Sequence, residues 1–385
     1  MAGRTRVLVV DDSALMRKAL KAMLVDGGFD VETARNGVDA LEQVRRDPPD
    51  VVTLDVNMPE MDGLTCLSRI MAEHPLPVVM VSSLTDSAAK VTFEALELGA
   101  VDYVAKPGGT VSLDIDTVRA ELVAKVRGAA GATVRRAGGL RERLRRQREA
   151  AGLLPSPTTS PERAAPLRAA GTTRTASRVA ARTSAVRSSP RRTALVPDLV
   201  LVGSSTGGPS ALGEVLSALP AGFLAPVVVA QHIPESFTRH LAGRLDADCA
   251  LAVREVTGTE PLRPGVVYIG RGDADVVVSR RPDGLVVKSV PASDQYRWHP
   301  SVDRLVASAL THAHDVTRLV GVLLTGMGDD GAAEMTRLRE LGGRTVAESQ
   351  ETAVVWGMPG DLVRRDGADL VLPLDAIGPQ LASWG

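Results

Sequence analysis

Leu199-Val200-Leu201-Val202-Gly203-Ser204-Ser205-Thr206-Gly207-Gly208-Pro209 runs from an apolar strand through small residues into a helix that begins near Pro209. In Gly203-Ser204-Ser205-Thr206-Gly207 the flanking glycines let a tight strand-to-helix turn hold the middle serine above the sheet. There the free N–H groups of the helix N-terminus stabilise an oxyanion. The same turn also serves as a phosphate cradle or as a plain βα connection. The stretch therefore decides for an α/β fold and leaves its chemistry to the residues that share its edge.

Two more strands lead to that edge. Pro226-Val227-Val228-Val229-Ala230 runs into Gln231-His232-Ile233-Pro234, and Leu319-Val320-Gly321-Val322-Leu323-Leu324 runs into Thr325-Gly326-Met327-Gly328-Asp329-Asp330-Gly331-Ala332. In a parallel sheet the carboxyl ends of strands lie together, so Ser205, His232 and an aspartate can meet although far apart in sequence, as nucleophile, base and orienting carboxylate. Of the six histidines, His240 lies in a helical pattern, His312 and His314 close another, and His74 belongs to the N-terminal segment. His299, in the loop before Pro300-Ser301-Val302-Asp303, competes with His232 as base or as a substrate contact. Spacing does not choose between Asp329 and Asp330. The order Ser, His, Asp departs from the α/β-hydrolase order of Ser, acid, His.

The chain of 385 residues is 44% hydrophobic and 24% charged, enough for two domains with full cores. A net charge of -1 and 3% aromatic residues give no general reason to bind nucleic acid or membrane. Cys66 and Cys249 are too few for a disulfide framework. No apolar run reaches membrane-spanning length, and Asp11-Asp12 cut short the apolar run Val7 to Val10, so a cytoplasmic location is expected.

Residues 1–127 alternate short β-branched runs with amphipathic stretches, the pattern of a parallel (βα)5 sheet. Strands are expected at Arg6 to Val10, Asp30 to Thr33, Val51 to Leu54, Val78 to Val81 and Tyr103 to Ala105, and the last helix at Ile115 to Arg127. Asp11 and Asp12 follow the first strand, Asp55 the third, Ser82 the fourth and Lys106 the fifth. Three converging carboxylates repel unless a hard cation lies between them, and Mg2+ suits an all-oxygen set. Asp55 is then a candidate phosphoryl acceptor, with Lys106 and Ser82 touching the phosphoryl oxygens. Residues 128–195 are rich in Arg, Ala, Ser, Thr and Pro and nearly free of acids, a flexible linker by composition, with Pro155 to Pro190 expected to be disordered. Its length suggests loosely docked domains. From residue 196 to 385 the α/β signature resumes as a second unit.

Val10-Asp11-Asp12-Ser13, Asp55-Val56-Asn57-Met58-Pro59-Glu60-Met61-Asp62-Gly63, Val81-Ser82-Ser83 and Tyr103-Val104-Ala105-Lys106-Pro107 closely resemble the receiver domains of two-component response regulators. The resemblance implies Mg2+ held by Asp12, Asp55 and the Asn57 carbonyl with Asp11 assisting. It also implies phosphorylation at Asp55, a switch through Ser82 and Tyr103, and a cis Lys106-Pro107 peptide. The elbow, Gln231-His232-Ile233-Pro234, Thr325 to Ala332, and Trp356-Gly357-Met358-Pro359 resemble the chemotaxis protein-glutamate methylesterases of the CheB family. This resemblance implies Ser205 as nucleophile, His232 as base and Asp330 as carboxylate. Thr206 and backbone N–H groups near Met327 and His232 would support the oxyanion, and the resemblance implies a doubly wound, mainly parallel sheet over residues 196–385, with antiparallel strands inserted between Val266 and Val290.

The activity implied is phosphorylation-regulated hydrolysis of glutamate γ-methyl esters on chemoreceptors, with deamidation of receptor glutamines. A CheA-type histidine kinase would be the phosphodonor, and no cofactor is expected in the catalytic half. Departures from the family pattern fall at Gly270-Arg271-Gly272, Asp275, His299 and Glu348, and bear on the receptor-facing groove. The competing readings are a catalytically silent, phosphorylation-dependent adaptor, an esterase for another methyl ester, and a DNA-binding regulator. The last is disfavoured because no helix-turn-helix pattern follows the linker.

Overall fold

The computed structural model describes residues 4–82, 86–106, 115–132 and 196–385. Linker residues 133–195, with the disorder expected at Pro155 to Pro190, and the cis Lys106-Pro107 bond anticipated from the sequence lie outside them. Residues 1–137 and 195–385 belong to one compact unit.

The first half alternates β1 (Arg6–Val10), α1 (Ala14–Asp26), β2 (Asp30–Ala34), α2 (Gly37–Arg46), β3 (Val51–Asp55), α3 (Gly63–Glu73), β4 (Val78–Ser82), α4 (Asp86–Leu98), β5 (Asp102–Ala105) and α5 (Ile115–Ala130). The sheet order is β2-β1-β3-β4-β5, and every pairing is parallel. β1, β3 and β4 are apolar almost throughout because helices cover both faces of the sheet. Local chemistry sets the helix starts. The side chains of Ser13, Asn36 and Asp62 accept from the N–H groups of Met16, Asp39 and Thr65, satisfying donors that the first turn leaves free. α5 runs three residues beyond the Arg127 expected from the sequence, and the buried Ala129 explains the extension.

The second half is organised on seven parallel strands in the order β15-β14-β13-β6-β7-β10-β8. These are β6 (Leu199–Ser204), β7 (Val227–Gln231), β8 (Ala252–Val256), β10 (Val266–Gly270), β13 (Leu319–Leu323), β14 (Arg344–Glu348) and β15 (Leu370–Leu372). The helices are α6 (Gly208–Ser217), α7 (Glu235–Asp248), α8 (Val302–His312), α9 (Ala332–Glu340), α10 (Met358–Arg364) and α11 (Leu374–Ala382). Alternate residues of β6 face opposite cores. Val200 and Val202 pack with α6, α7 and α11, whereas Leu199 and Leu201 pack with α8, α9 and α10. The order reverses at β6, between β13 and β7, which is where open α/β sheets bind their ligands.

One expectation needs correcting. Val266–Gly270 is a parallel strand of the main sheet rather than part of an antiparallel insertion. A short β-branched run reads the same in either direction, so sequence pattern could not separate the two cases. The small antiparallel sheet consists of β9 (Thr259–Pro261), β11 (Ala274–Arg281) and β12 (Gly284–Pro291).

The two halves pack closely, contrary to the loose docking suggested by the linker. Phe237 of α7 stacks on Tyr103 of β5 at 4.4 Å between ring centroids, and meets Phe93 of α4 edge-on at 5.9 Å. Arg244 pairs with Glu97 at 2.7 Å beside them.

Tyr268 of β10 is fully buried. Its hydroxyl donates to the Pro261 carbonyl at 2.8 Å and accepts from the Arg263 N–H at 2.9 Å, tying the antiparallel sheet to the main one. Tyr268→Phe leaves both backbone groups without that partner and should cost about 1–3 kcal/mol. The expected result is a lower urea midpoint with an unchanged slope; an unchanged midpoint would show that the bond carries no net stability.

Candidate active site

β6 ends at Ser204, and the chain turns through Ser205, Thr206 and Gly207 into α6. Gly207 adopts φ +78°, a backbone conformation that disfavours side chains, and the Gly208 N–H closes the turn on the Ser205 carbonyl at 2.7 Å. The Ser205 N–H donates to the Thr325 carbonyl at 3.0 Å, so the elbow is fastened to the end of β13. The Thr325 hydroxyl in turn donates to the Thr206 carbonyl at 2.9 Å. Glu348, at the end of β14, has no exposed surface and accepts from the Thr325 N–H at 2.8 Å and the Thr352 hydroxyl at 2.9 Å.

His232 follows β7, and its Nε2 lies 2.8 Å from Asp330 Oδ2. Its Nδ1 is buried and without a hydrogen-bond partner. The indole of Trp298 stacks on the imidazole at 5.2 Å and 14° between planes, holding the ring flat against the 292–300 loop. Asp330 is buried at the N-terminus of α8. Its Oδ2 also accepts from the Val302 N–H at 2.7 Å, and its Oδ1 from the Ser301 hydroxyl at 3.0 Å and the Asp303 N–H at 3.1 Å. Burial disfavours its charge, but His232 and the two helix N–H groups more than compensate and hold its carboxyl below the usual carboxylate range. Asp329 is exposed. What selects Asp330 is thus a helix terminus from a preceding segment, which no spacing rule around β13 could supply.

The other expected participants divide. The Met327 side chain packs against Gly128 of α5 so tightly that a Cβ there would lie 2.2 Å from the Met327 sulfur. The Thr206 hydroxyl donates to Asp102 Oδ2 of β5 at 2.5 Å. The resemblance implies oxyanion donors near His232, and the N–H of His232 itself is committed to the Ser204 carbonyl at 3.0 Å. His299 is not near His232 Nδ1 in any bonded sense. It pairs with Asp275 Oδ1 at 3.1 Å, and Asp275 also accepts from the Ser301 N–H and from Arg304. Two departures from the family pattern are therefore partners of each other. Asp275 and Glu348 are buried, so neither lines a groove, and the expectation that these positions read the receptor holds for neither.

At the other sheet, Asp11, Asp12 and Asp55 bring carboxylate oxygens within 4.8 Å of one another, a group that could hold a metal ion. Lys106 Nζ lies 2.9 Å from Asp11 and 2.8 Å from Asp55. Burial raises the Asp55 pKa despite Lys106, with the Asp11 charge adding to the rise. Tyr103 is buried beneath Phe237, and burial, with Asp102 nearby, pushes its phenol well above the usual value. Among the described residues no helix is long and apolar enough to cross a membrane.

A doubly wound sheet with a serine elbow at its switch point, joined to a five-stranded sheet with an acidic cluster, defines a receiver-linked enzyme of the α/β class. Residues 7–115 match the response regulator receiver domain and residues 200–381 match the CheB methylesterase model. The protein-glutamate methylesterase/protein-glutamine glutaminase 2 of Rhodopseudomonas palustris strain BisB18 is 54% identical, over 99% of this chain and 98% of its own. The corresponding protein 3 of Rhodospirillum rubrum is 52% identical, over 99% and 96%. The crystal structure of the Thermotoga maritima CheB methylesterase catalytic domain is 35% identical and covers 49% of this chain and 99% of its own, with a TM-score of 0.47. The chain belongs to the CheB family of protein-glutamate methylesterase/protein-glutamine glutaminases.

Asp303 sits in the first turn of α8 beside Asp330, and burial raises its pKa to about 6. A folded-state value above the unfolded 3.8 means that the folded chain binds this proton more tightly. Stability from this group is full below about pH 4 and is lost as the pH rises to about 6. Asp303→Asn should therefore match the wild type near pH 4 and exceed it at pH 8 by roughly 1–3 kcal/mol, the lower end allowing for solvent screening. Urea unfolding at both pH values checks this, and an equal difference at both would refute it.

Proposed function

We propose that the chain is a phosphorylation-regulated protein-glutamate methylesterase and protein-glutamine glutaminase, with Ser205 as nucleophile, His232 as base and Asp330 as its orienting carboxylate. The observation that carries this reading is the state of His232. One ring nitrogen is held by a buried, ionised aspartate, the other is buried without a hydrogen-bond partner, and the His232 main chain is bonded to the serine elbow through the Ser204 carbonyl. Nδ1 takes the proton from Ser205 Oγ as the oxygen attacks the γ-carbonyl of a methylated glutamate. Asp330 steadies the imidazolium, and N–H groups at Thr206 and in the Met327 turn receive the oxyanion. The proton passes to the departing methoxide, methanol leaves, and water repeats the sequence on the acyl-enzyme to release the glutamate carboxylate and free Ser205. A glutamine side chain follows the same path and releases ammonia. The substrate is a chemoreceptor, and the reaction takes place in the cytoplasm.

In the receiver, Asp12, Asp55 and the Asn57 carbonyl, with Asp11 assisting, would hold Mg2+. The all-oxygen donor set and its crowding of charge fit a hard divalent cation. Bound there, the ion would supply neutralisation of phosphoryl charge. Asp55 attacks the phosphorus of a CheA-type kinase's phosphohistidine, the histidine departs, and Lys106 and Ser82 contact the phosphoryl oxygens. The unphosphorylated receiver acts as a gate, because Asp102 bonds Thr206, next to Ser205, and Gly128 packs against Met327, which follows the Gly326 that lies against Ser205. Added charge at Asp55 draws Ser82 and then Tyr103 inward, away from Phe237, and loosens the contact.

Methanol release from methylated receptor fragments is the test. Ser205→Ala and His232→Ala should each lower it by roughly 10⁴–10⁶, and Asp330→Asn by less. Full activity in Ser205→Ala would sink the assignment. Supplying a phosphodonor should raise the rate of the intact chain by about 5- to 150-fold, a rise that Asp55→Asn abolishes. Residues 196–385 alone should be active without phosphodonor, and a truncated domain no faster than the unphosphorylated chain would rule out occlusion.

A further inference from the structure

Gln231 is the last residue of β7, paired in register with Ser204 and almost fully buried. Its side-chain Nε2 donates to two carbonyls, those of Ser205 and His232, each at 3.0 Å. Its Oε1 accepts from the buried Ser204 hydroxyl at 2.7 Å. These contacts fix the amide's orientation, because the flipped amide would aim its oxygen at two other oxygens. The amide also dictates a neighbouring residue type. A Cβ on Gly208 would lie 1.9 Å from Oε1, so the second glycine of the elbow makes room for Gln231. One side chain thus joins the carbonyls of the serine and the histidine, beyond the ladder bond from the His232 N–H to the Ser204 carbonyl that already pairs the two strand ends.

We propose that Gln231 is a positioning residue. By holding both carbonyls, it sets the separation and orientation of Ser205 and His232 and so determines kcat. The inference rests on the triad reading above. A general base must meet the nucleophile within a narrow range of distance, and a displacement near 1 Å costs on the order of 100-fold. Leucine has similar bulk but no donor, and it leaves the two carbonyls to drift apart. Glutamate, when ionised, adds repulsion to both; when protonated it regains one donor.

The experiment compares Gln231→Leu, Gln231→Glu and His232→Ala in the full-length chain with a phosphodonor present. It follows methanol release, thermal midpoint, and the fraction of active serines titrated by a small fluorophosphonate. Gln231→Leu should lower kcat per titrated serine by ~10- to 100-fold with KM changed by less than about threefold. Gln231→Glu should show a deficit that narrows by about fivefold or more, relative to wild type, as the pH falls from about 8 to about 5. Should the leucine variant fail to fold, this pH dependence decides alone. A purely structural residue would lower the midpoint and the titrated fraction while leaving kcat per serine within twofold and the pH ratio flat, and that result would overturn the proposal. Activity in His232→Ala would instead overturn the triad reading. An inactive His232→Ala beside normal Gln231 variants removes the positioning role alone.

Discussion

The parallel register of β13, β6 and β7 is the constraint on which the catalytic half depends. Gly203 pairs with Leu323 on one side and with Ala230 on the other, and Ser204 pairs with Gln231. Three chain segments therefore leave the sheet at one level, carrying Ser205, His232 and the Asp330 turn. This arrangement needs strands buried on both faces, which is why β6, β7 and β13 are continuous apolar runs rather than alternating ones. At the edge, small residues let a fourth element in. A Cβ on Gly203 or on Gly331 would lie 2.5 or 2.4 Å from the same Val302 methyl. The two glycines form a notch for Val302, and the seated N-terminus of α8 offers its N–H groups to Asp330. Packing and electrostatics are thus satisfied by one contact.

The receiver uses the same architecture for a different end. Its strand order also reverses beside β1, and its acidic residues gather there, between β1 and β3. Lys106 spans Asp11 and Asp55, and their charges keep its pKa raised although burial opposes this. The cluster is consequently a place where added negative charge must be met by rearrangement of a few close groups, one of them on the strand that also carries Tyr103.

The sheets were legible because parallel strands announce themselves as apolar runs and chemistry-bearing residues follow them directly. Ser205, His232 and the five polar residues of the receiver all occupy such positions. What escaped depends on contacts between distant segments. Asp330 differs from Asp329 only through α8, which begins 28 residues earlier. Gln231 lay within a recognised motif, but its role requires knowing that β6 and β7 are neighbours in register. Trp298 sits in a loop with no periodicity and is defined by the imidazole it covers. Asp275 and His299 looked like separate departures until the fold made them a pair. The direction of β10 was misread because five β-branched or apolar residues carry no sign of strand polarity.

The contact between the two halves is more than a cover over an opening, because it shares polar groups with both machines. Asp102 accepts from Thr206, next to Ser205, and pairs with Lys125 at 3.2 Å. Lys125 also donates to the Tyr103 carbonyl at 2.7 Å and lies 4.7 Å from that ring. Burial works against its charge, yet Asp102 and Glu121 hold its pKa high, so the ammonium stays ionised at the centre of the network. Tyr103, wedged between Lys125 and Phe237, cannot leave its stack without disturbing the cation that orders Asp102. Tyr103 movement in the receiver is thereby tied, through a carboxylate and a hydroxyl, to the turn that presents Ser205. A purely apolar interface would slide continuously. A charge network buried against an aromatic stack has few intermediate arrangements of low energy, so the gate proposed above would open between two discrete positions rather than by gradual loosening.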